Sequence, residues 1–300
     1  MAVTRRLYAA SLAARRLSAG RLRTRHLLLG LILVVAAGDR TTDRDALLAV
    51  DRALSDKTAS LGMVHGFMPG LNEGAAYLYP GAPLLRGTDQ IRSFLESTDS
   101  IVQQTWAPVF ADVSADGRLG YTYGWTRSGG TRGKYLACWQ KTGDGWRLAA
   151  YASTRPVPVP DSISPQAMTG VLGAQVRGRA DPNELLHADS AFAALSVASG
   201  AKTAFLKFAA EEAISFGGGA QITEGREAIG AGFDGFPAGA VLEWWPVAAQ
   251  IAPSGDLGCT VGEARIASLH HYSKYLTIWR RQQGGAWKFV ADGGNVRPAP

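Results

Sequence analysis

Apolar positions along the first third of the chain return every three to four residues. Leu47, Val50 and Leu54 share one face, and their spacing predicts a helix over about 44–60 with Asp43 as its N-cap. A second short helical stretch spans about 62–69 and stops at Pro69-Gly70. Ala75–Tyr79 is an apolar run broken by Pro80-Gly81 and reads as a strand. Gly87-Thr88 then opens another helix through Ile91 and Leu95, with Thr88 as its cap. From Thr105 the pattern turns to strands, at about 105–115, 119–127, 133–141 and 146–152. Turn signals at Ala115-Asp-Gly117, Ser128-Gly-Gly-Thr131 and Thr142-Gly-Asp-Gly145 separate them. Helices first and antiparallel strands afterwards is an α+β order.

The pattern then starts again. Trp106, Pro108, Val109, Gly117, Leu119, Gly120, Thr122 and Gly124 recur as Trp244, Pro246, Val247, Gly255, Leu257, Gly258, Thr260 and Gly262, each pair 138 residues apart. At the same offset Gly62 matches Gly200, Phe67 matches Phe205, Gly87 matches Gly225, Ile91 matches Ile229, and Asp51-Arg-Ala53 matches Asp189-Ser-Ala191. Lys134-Tyr-Leu136 and Trp139 recur as Lys274-Tyr-Leu276 and Trp279 after a two-residue insertion; Trp146 and Pro156 recur as Trp287 and Pro298. A period of this length is the size of a small domain, ~100–150 residues, not of a solenoid unit. The reading is two tandem domains at 43–156 and 181–298. Between them, 157–180 begins within the Pro-rich Pro156–Pro160 run and reads as a semi-rigid spacer. Asp181-Pro182-Asn-Glu184 restarts the helical pattern as cap, first-turn proline and first-turn acid, at the repeat position of Asp43. Leu185, Ala188, Phe192 and Leu195 give the apolar face. Ile214–Phe216, a helix from Arg226 to Phe233, and strands from Leu242, Leu257, Tyr272 and Trp287 follow in the same order.

Charge changes the picture little. The net charge is +6, but residues 1–37 hold seven arginines and no acid, so the rest of the chain is close to neutral. No basic stripe marks either repeat, which argues against a nucleic-acid partner. Residues 1–37 combine this basic stretch with the apolar run Leu27–Ala37 and small residues at its end. That is the pattern of a secretory signal, with a cleavage site after Val35-Ala-Ala37 and a periplasmic or secreted product; uncleaved, it would be a membrane anchor. The two cysteines, Cys138 and Cys259, stand at non-equivalent repeat positions, opposite Ile278 and Tyr121. They read as half-buried thiols acting as small apolar side chains, with a single bridge between the domains as the alternative.

Trp244-x-Pro246, Ser254-Gly-Asp-Leu-Gly258 with Gly262, Lys274-Tyr-Leu-x-x-Trp279, Gly284-Gly-x-Trp-Lys288 and Asp292-Gly-Gly-Asn295 together resemble the nuclear transport factor 2-like superfamily, in its SnoaL-like, domain-of-unknown-function branch. The resemblance covers about 43–156 and 181–298. It implies two tandem cone-shaped α+β domains. In each, about three N-terminal helices pack on a curved, mostly antiparallel sheet around a pocket. It also implies pairing through the outer sheet face, within the chain or as a homodimer. The superfamily includes ketosteroid isomerase, which combines a carboxylate base with a protonated acid. The family's base position falls near Tyr79 and Gly217, neither of which can act as a carboxylate.

The polar set left for chemistry is in the second repeat: Glu243, Glu263, His271 and Asp292, opposite Thr105, Trp125, a hairpin residue and Tyr151. Asp292 and Glu263 are the candidate catalytic pair. Trp106, Tyr121, Tyr123, Tyr151, Trp244, Glu243, His271 and Asn295 are candidate ligand contacts, since aromatic strands with a few polar groups suit an apolar or ring-bearing ligand. His270-His271 lacks a carboxylate or cysteine at ligand spacing, so no metal and no cofactor is expected. Lys134 and Lys274 recur and are expected to serve structure, neutralising a carboxylate or covering a strand face. The leading expectation is a binder of a small apolar molecule. The alternatives are an isomerase or hydrolase using the second repeat's carboxylates, and a structural or partner-binding module with filled cones.

Overall fold

The computed structural model describes residues 39–98, 104–160 and 163–300; the leader expected at 1–37 lies outside the described residues. Helix α1 (Arg40–Gly62) begins one turn earlier than its apolar spacing suggests. Its cap is Asp39, whose side chain accepts from the Thr41 amide. Asp43, expected as the cap, instead lies buried in the first turn and pairs with Lys141 at 3.0 Å. Leu47, Asp51, Leu54, Ser55 and Thr58 form the buried stripe. A π turn (Met63–Phe67) and a 3-10 turn (Met68–Gly70) lead into strand β1 (Leu71–Leu78) and the two-residue β2 (Leu85–Arg86). Helix α2 (Thr88–Ser97) follows, capped at the Gly87 position rather than by the Thr88 side chain. Four long strands complete the first sheet: β3 (Thr105–Val113), β4 (Leu119–Ser128), β5 (Thr131–Thr142) and β6 (Gly145–Ser153). The strand order is β2-β1-β6-β5-β4-β3. All of its neighbours are antiparallel except β1 and β6, and β7 (Val157–Pro158) pairs with β5.

The second half repeats this order. Helices α3 (Pro182–Ser199) and α4 (Ala201–Phe208) precede β8 (Ala209–Ser215) and β9 (Thr223–Glu224). Then come helix α5 (Arg226–Ala231) and strands β10 (Glu243–Ile251), β11 (Leu257–Ile266), β12 (His271–Arg281) and β13 (Trp287–Val296). The sheet order β10-β11-β12-β13-β8-β9 is that of the first sheet, again with one parallel pair, β8 with β13. The correspondence reaches the irregularities. Bulges interrupt Pro108/Phe110 and Pro246/Ala248, and again Cys138/Trp139 and Ile278/Trp279, bending each sheet at the same places. Gly117 and Gly255 hold φ of 66° and 67°, a left-handed turn conformation that a side chain resists. The chain is therefore a tandem of two cone-shaped α+β domains.

The sheets meet through their outer faces. Tyr121, Tyr123, Trp125, Leu136 and Cys138 of the first join Val261, Leu276, Ile278 and Cys259 of the second in one apolar cluster that continues into the second domain's core. Cys138 and Cys259 are joined by a disulfide across this junction, so the alternative of a single bridge between the domains holds and the expectation of two half-buried thiols is corrected. Positions that are not repeat-equivalent can still meet, because the two sheets are stacked on one another and not merely copied. A buried ionic cluster lies at one end. Asp112, fully buried, receives Arg280 Nη2 at 2.6 Å and Arg40 Nη2 at 2.7 Å, and Arg280 Nη1 lies 3.6 Å from Asp256. Segment 163–180 lies against the domains. Arg40 donates to the Gly173 carbonyl, Gln175 to Val113 O, and the Gly178 amide to Ser254 O.

The recurring lysines make a reciprocal latch. Lys134 Nζ donates to the carbonyls of Gly217 (2.7 Å) and Gln221 (2.8 Å) in the second domain. Lys274 Nζ donates to Tyr79 O of the first domain at 2.9 Å, and to Asn295 Oδ1 and Val296 O. Tyr79 and Gly217 are themselves 138 residues apart, so each domain's lysine holds the same point of the other. Both lysines serve structure, as expected, but through carbonyl oxygens and not by neutralising a carboxylate.

Candidate functional site

The two cones share one framework. In each, an aspartate of the long helix takes a hydrogen bond from a tryptophan and a tyrosine of the sheet. Asp51 accepts from Trp106 Nε1 (2.6 Å) and the Tyr135 hydroxyl (2.7 Å); Asp189 accepts from Trp244 Nε1 (2.9 Å) and the Tyr275 hydroxyl (3.1 Å). Both aspartates are about 1% exposed. Burial pushes Asp51 above the usual carboxylate range against the hydrogen bonds it receives. Burial likewise pushes Asp189 up to about 6, opposed by the Thr260, Trp244 and Tyr275 donors.

What differs is the filling. In the first domain Tyr77 and Tyr151 stand side by side on β1 and β6. Tyr151 stacks on Tyr135 at 5.5 Å and meets Phe67 at 5.3 Å and Trp106 at 5.7 Å edge-on or tilted; Tyr77 meets Phe67 at 5.4 Å. These rings are all buried and occupy the cone. The register of β8 and β13 pairs Ser215 with Asp292 at the same two positions. Phe205, Trp244 and Tyr275 keep the places of Phe67, Trp106 and Tyr135, but two phenol rings have become a hydroxymethyl and a carboxyl. A cavity of about 720 Å³ opens there, walled by Phe192, Phe205, Phe216, Phe233, Leu242 and Trp244. It is large enough for a drug-sized molecule, since such sites run ~300–1,000 Å³.

Asp292 is the one carboxylate among the described residues that line this cavity. Its Oδ1 accepts from Thr277 Oγ1 at 2.6 Å, where the first domain has Ala137. Burial pushes it up to about 7, the Thr277 bond opposing and the nearby Asp189 charge adding to the rise. The surface it does expose faces the cavity. At neutral pH it is therefore poised to give or take a proton, or to donate a hydrogen bond to a carbonyl.

Of the other sequence candidates, Trp244, His271 and Asn295 line the cavity with Asp292, His271 at its exposed edge. Asn295 Nδ2 is also spent on the carbonyls of Leu78 and Ser153. Glu263 does not join Asp292. Strand alternation puts Ala264 on the cavity wall and Glu263 on the opposite face, where it pairs with Arg297 at 3.2 Å. Glu243 pairs with Arg265 at 2.6 Å beside a smaller surface hollow. Trp106 and Tyr151 are consumed in the first domain's ring cluster, and Tyr121 and Tyr123 belong to the inter-sheet cluster. Among the described residues no three His, Cys, Asp or Glu side chains gather as a metal site. Sequence reasoning missed Asp189, Ser215, Phe216 and Thr277. The signal for Ser215 was present: the 138-residue offset sets it opposite Tyr77, just as the final strand sets Asp292 opposite Tyr151.

No family model matches the chain, and no curated protein does. Solved structures do. A cystatin-like domain of unknown function from Nostoc punctiforme matches at 20% identity and TM-score 0.34 over 40% of this chain and 82% of its own. An NTF2-like protein with a cystatin-like fold from Novosphingobium aromaticivorans matches at 20% identity and TM-score 0.32 over 39% and 81%. A ketosteroid isomerase-like protein from Erwinia carotovora atroseptica matches at 10% identity and TM-score 0.34 over 40% and 97%. These scores assign no role to any residue, and the architecture rests on the topology above. Each half of the chain carries the same α+β topology, and the two are joined in tandem.

Proposed function

We propose that the second domain binds a small, mainly apolar molecule in its cone, and that the first domain is its filled, structural counterpart. The observation that carries this is the exchange of Tyr77 and Tyr151 for Ser215 and Asp292 at matched register, with the cavity that results. Ring-bearing walls favour an apolar body, and the Asp292–Thr277 pair offers a deep polar contact for a carbonyl or hydroxyl. The test is a thermal-shift screen of neutral bicyclic and steroid-sized ligands against the wild type and the Ser215→Tyr/Asp292→Tyr double variant. Stabilisation of the wild type that disappears in the double variant supports the reading. Equal shifts in both, or none in the wild type, end it.

A second reading has one specific support: a carboxyl pushed up to about 7 inside an apolar cavity suits proton transfer. Proton transfer at a carbon beside a carbonyl is the reaction class to assay. Asp292 would be the group that moves the proton, without Glu263. Isomerisation of a β,γ-unsaturated ketone by the wild type but not by Asp292→Asn supports this; equal rates in the two refute it.

A further inference from the structure

The first domain contributes to the cavity of the second. Pro80, Thr154, Arg155 and Val157 form part of its wall, so the site is incomplete without the partner domain. Arg155 is the unusual member. It is exposed and, among the described residues, makes no hydrogen bond, ion pair or ring contact. The arginines of the second domain are provided for: Arg226 has Glu211, Arg265 has Glu243, Arg281 has Glu184, Arg297 has Glu263 and Arg280 has Asp112. The other cation on the wall, Lys274, is already committed to three oxygens of the protein. His271 adds a donor at the exposed edge. The cavity thus has a ring-lined body, one carboxyl, and a guanidinium without an anion. A guanidinium fork matches a carboxylate in plane and in donor spacing.

Resting on the apolar-pocket reading, we propose that the natural ligand is an amphipathic carboxylate: its apolar body fills the second domain's cone, and its anionic end is held by Arg155 of the first domain. The arrangement explains why one domain is filled and retained. It supplies a charged rim that the open domain does not supply for itself. The anion stays at the rim, where it keeps part of its hydration, and the apolar remainder is what enters the cone.

The test uses matched pairs titrated calorimetrically into the full chain: decanoate against decan-1-ol, and 2-naphthoate against 2-naphthol. Wild type is compared with Arg155→Gln, Arg155→Lys and, as a charge control on helix α2, Arg92→Gln. The expected result is that the wild type prefers each acid to its alcohol by about tenfold, the scale of one charge-assisted contact. The preference falls as salt rises. Arg155→Gln brings acid and alcohol to near parity without weakening the alcohol, Arg155→Lys keeps part of the preference, and Arg92→Gln keeps all of it. If the alcohols bind as well as the acids in the wild type, or if Arg155→Gln leaves the preference intact, the anion assignment is overturned while the apolar-pocket reading stands. If no member of either pair binds, both fall together.

Discussion

Replacing Asp292 with asparagine should make the protein more stable at pH 8 and leave it nearly unchanged at pH 4. The carboxyl is raised from 3.8 to about 7 in the folded chain. Below about pH 4 both folded and unfolded states hold the proton, and the group is neutral to stability. Between about 4 and 7 the unfolded chain releases the proton while the native state keeps it, so native stability declines as pH rises. Above 7 both states are ionised and the loss is complete. At ~1.4 kcal/mol per unit, the full span amounts to about 4 kcal/mol. One side of the carboxyl faces a cavity that water can enter, so a measured span of about 2–4 kcal/mol is expected. Asparagine keeps the size and an acceptor for Thr277 but has no proton to lose. The assay is urea unfolding of both proteins from pH 4 to 8, plotted as the difference in unfolding free energy. That difference should climb toward the variant with a midpoint between 5 and 6 and level off above about pH 7. Other titrating groups cancel in the subtraction. A difference flat from pH 4 to 8 would show that Asp292 ionises normally, and the account of a desolvated carboxyl in an apolar cone would be wrong.

Three further outcomes test the junction between the domains. Asp112→Ala leaves the buried Arg280 guanidinium only the more distant Asp256 and should cost about 3–5 kcal/mol in urea unfolding, far more than an exposed ion pair; a loss under 1 kcal/mol would show that water reaches the cluster. Reducing the Cys138–Cys259 bridge, which spans 121 residues of chain, should lower stability by about 2–5 kcal/mol, read as a lower urea midpoint in dithiothreitol; an unchanged midpoint would deny that the bridge forms. Lys274→Met removes donors from Tyr79 O, Asn295 and Val296 O and should cost about 2–4 kcal/mol by the same assay, whereas Lys207→Met on the surface should cost little.

Much of the architecture was legible because the chain states it twice. The constant 138-residue offset over the Trp106 and Trp244 stretches required equal connections, and the matched bulges and positive-φ glycines are its structural expression. Helix starts were less legible. Arg40–Thr42 carries no apolar periodicity, so Asp43 took the cap role that Asp39 performs. The disulfide was hidden for a different reason: repeat equivalence describes each domain alone, whereas Cys138 and Cys259 meet only when one sheet is laid on the other. The site was half legible. Asp292 stood out as an acid where its repeat partner is a tyrosine. Its separation from Glu263 depends on which strand parity faces inward, and periodicity alone does not give that sign. Arg155 could not be singled out from sequence, since being unpaired is a property of the assembled rim.

Two copies of one fold differ here in that one cone is filled and the other hollow. Diffraction from crystals soaked with 6-bromo-2-naphthol, with the bromine located by its anomalous signal, tests this difference most directly. Bromine is expected inside the second domain, among Phe192, Trp244 and Asp292, and none among Tyr77, Tyr135 and Tyr151. Bromine within the first domain's ring cluster, or an empty second cone at saturating ligand, would contradict it.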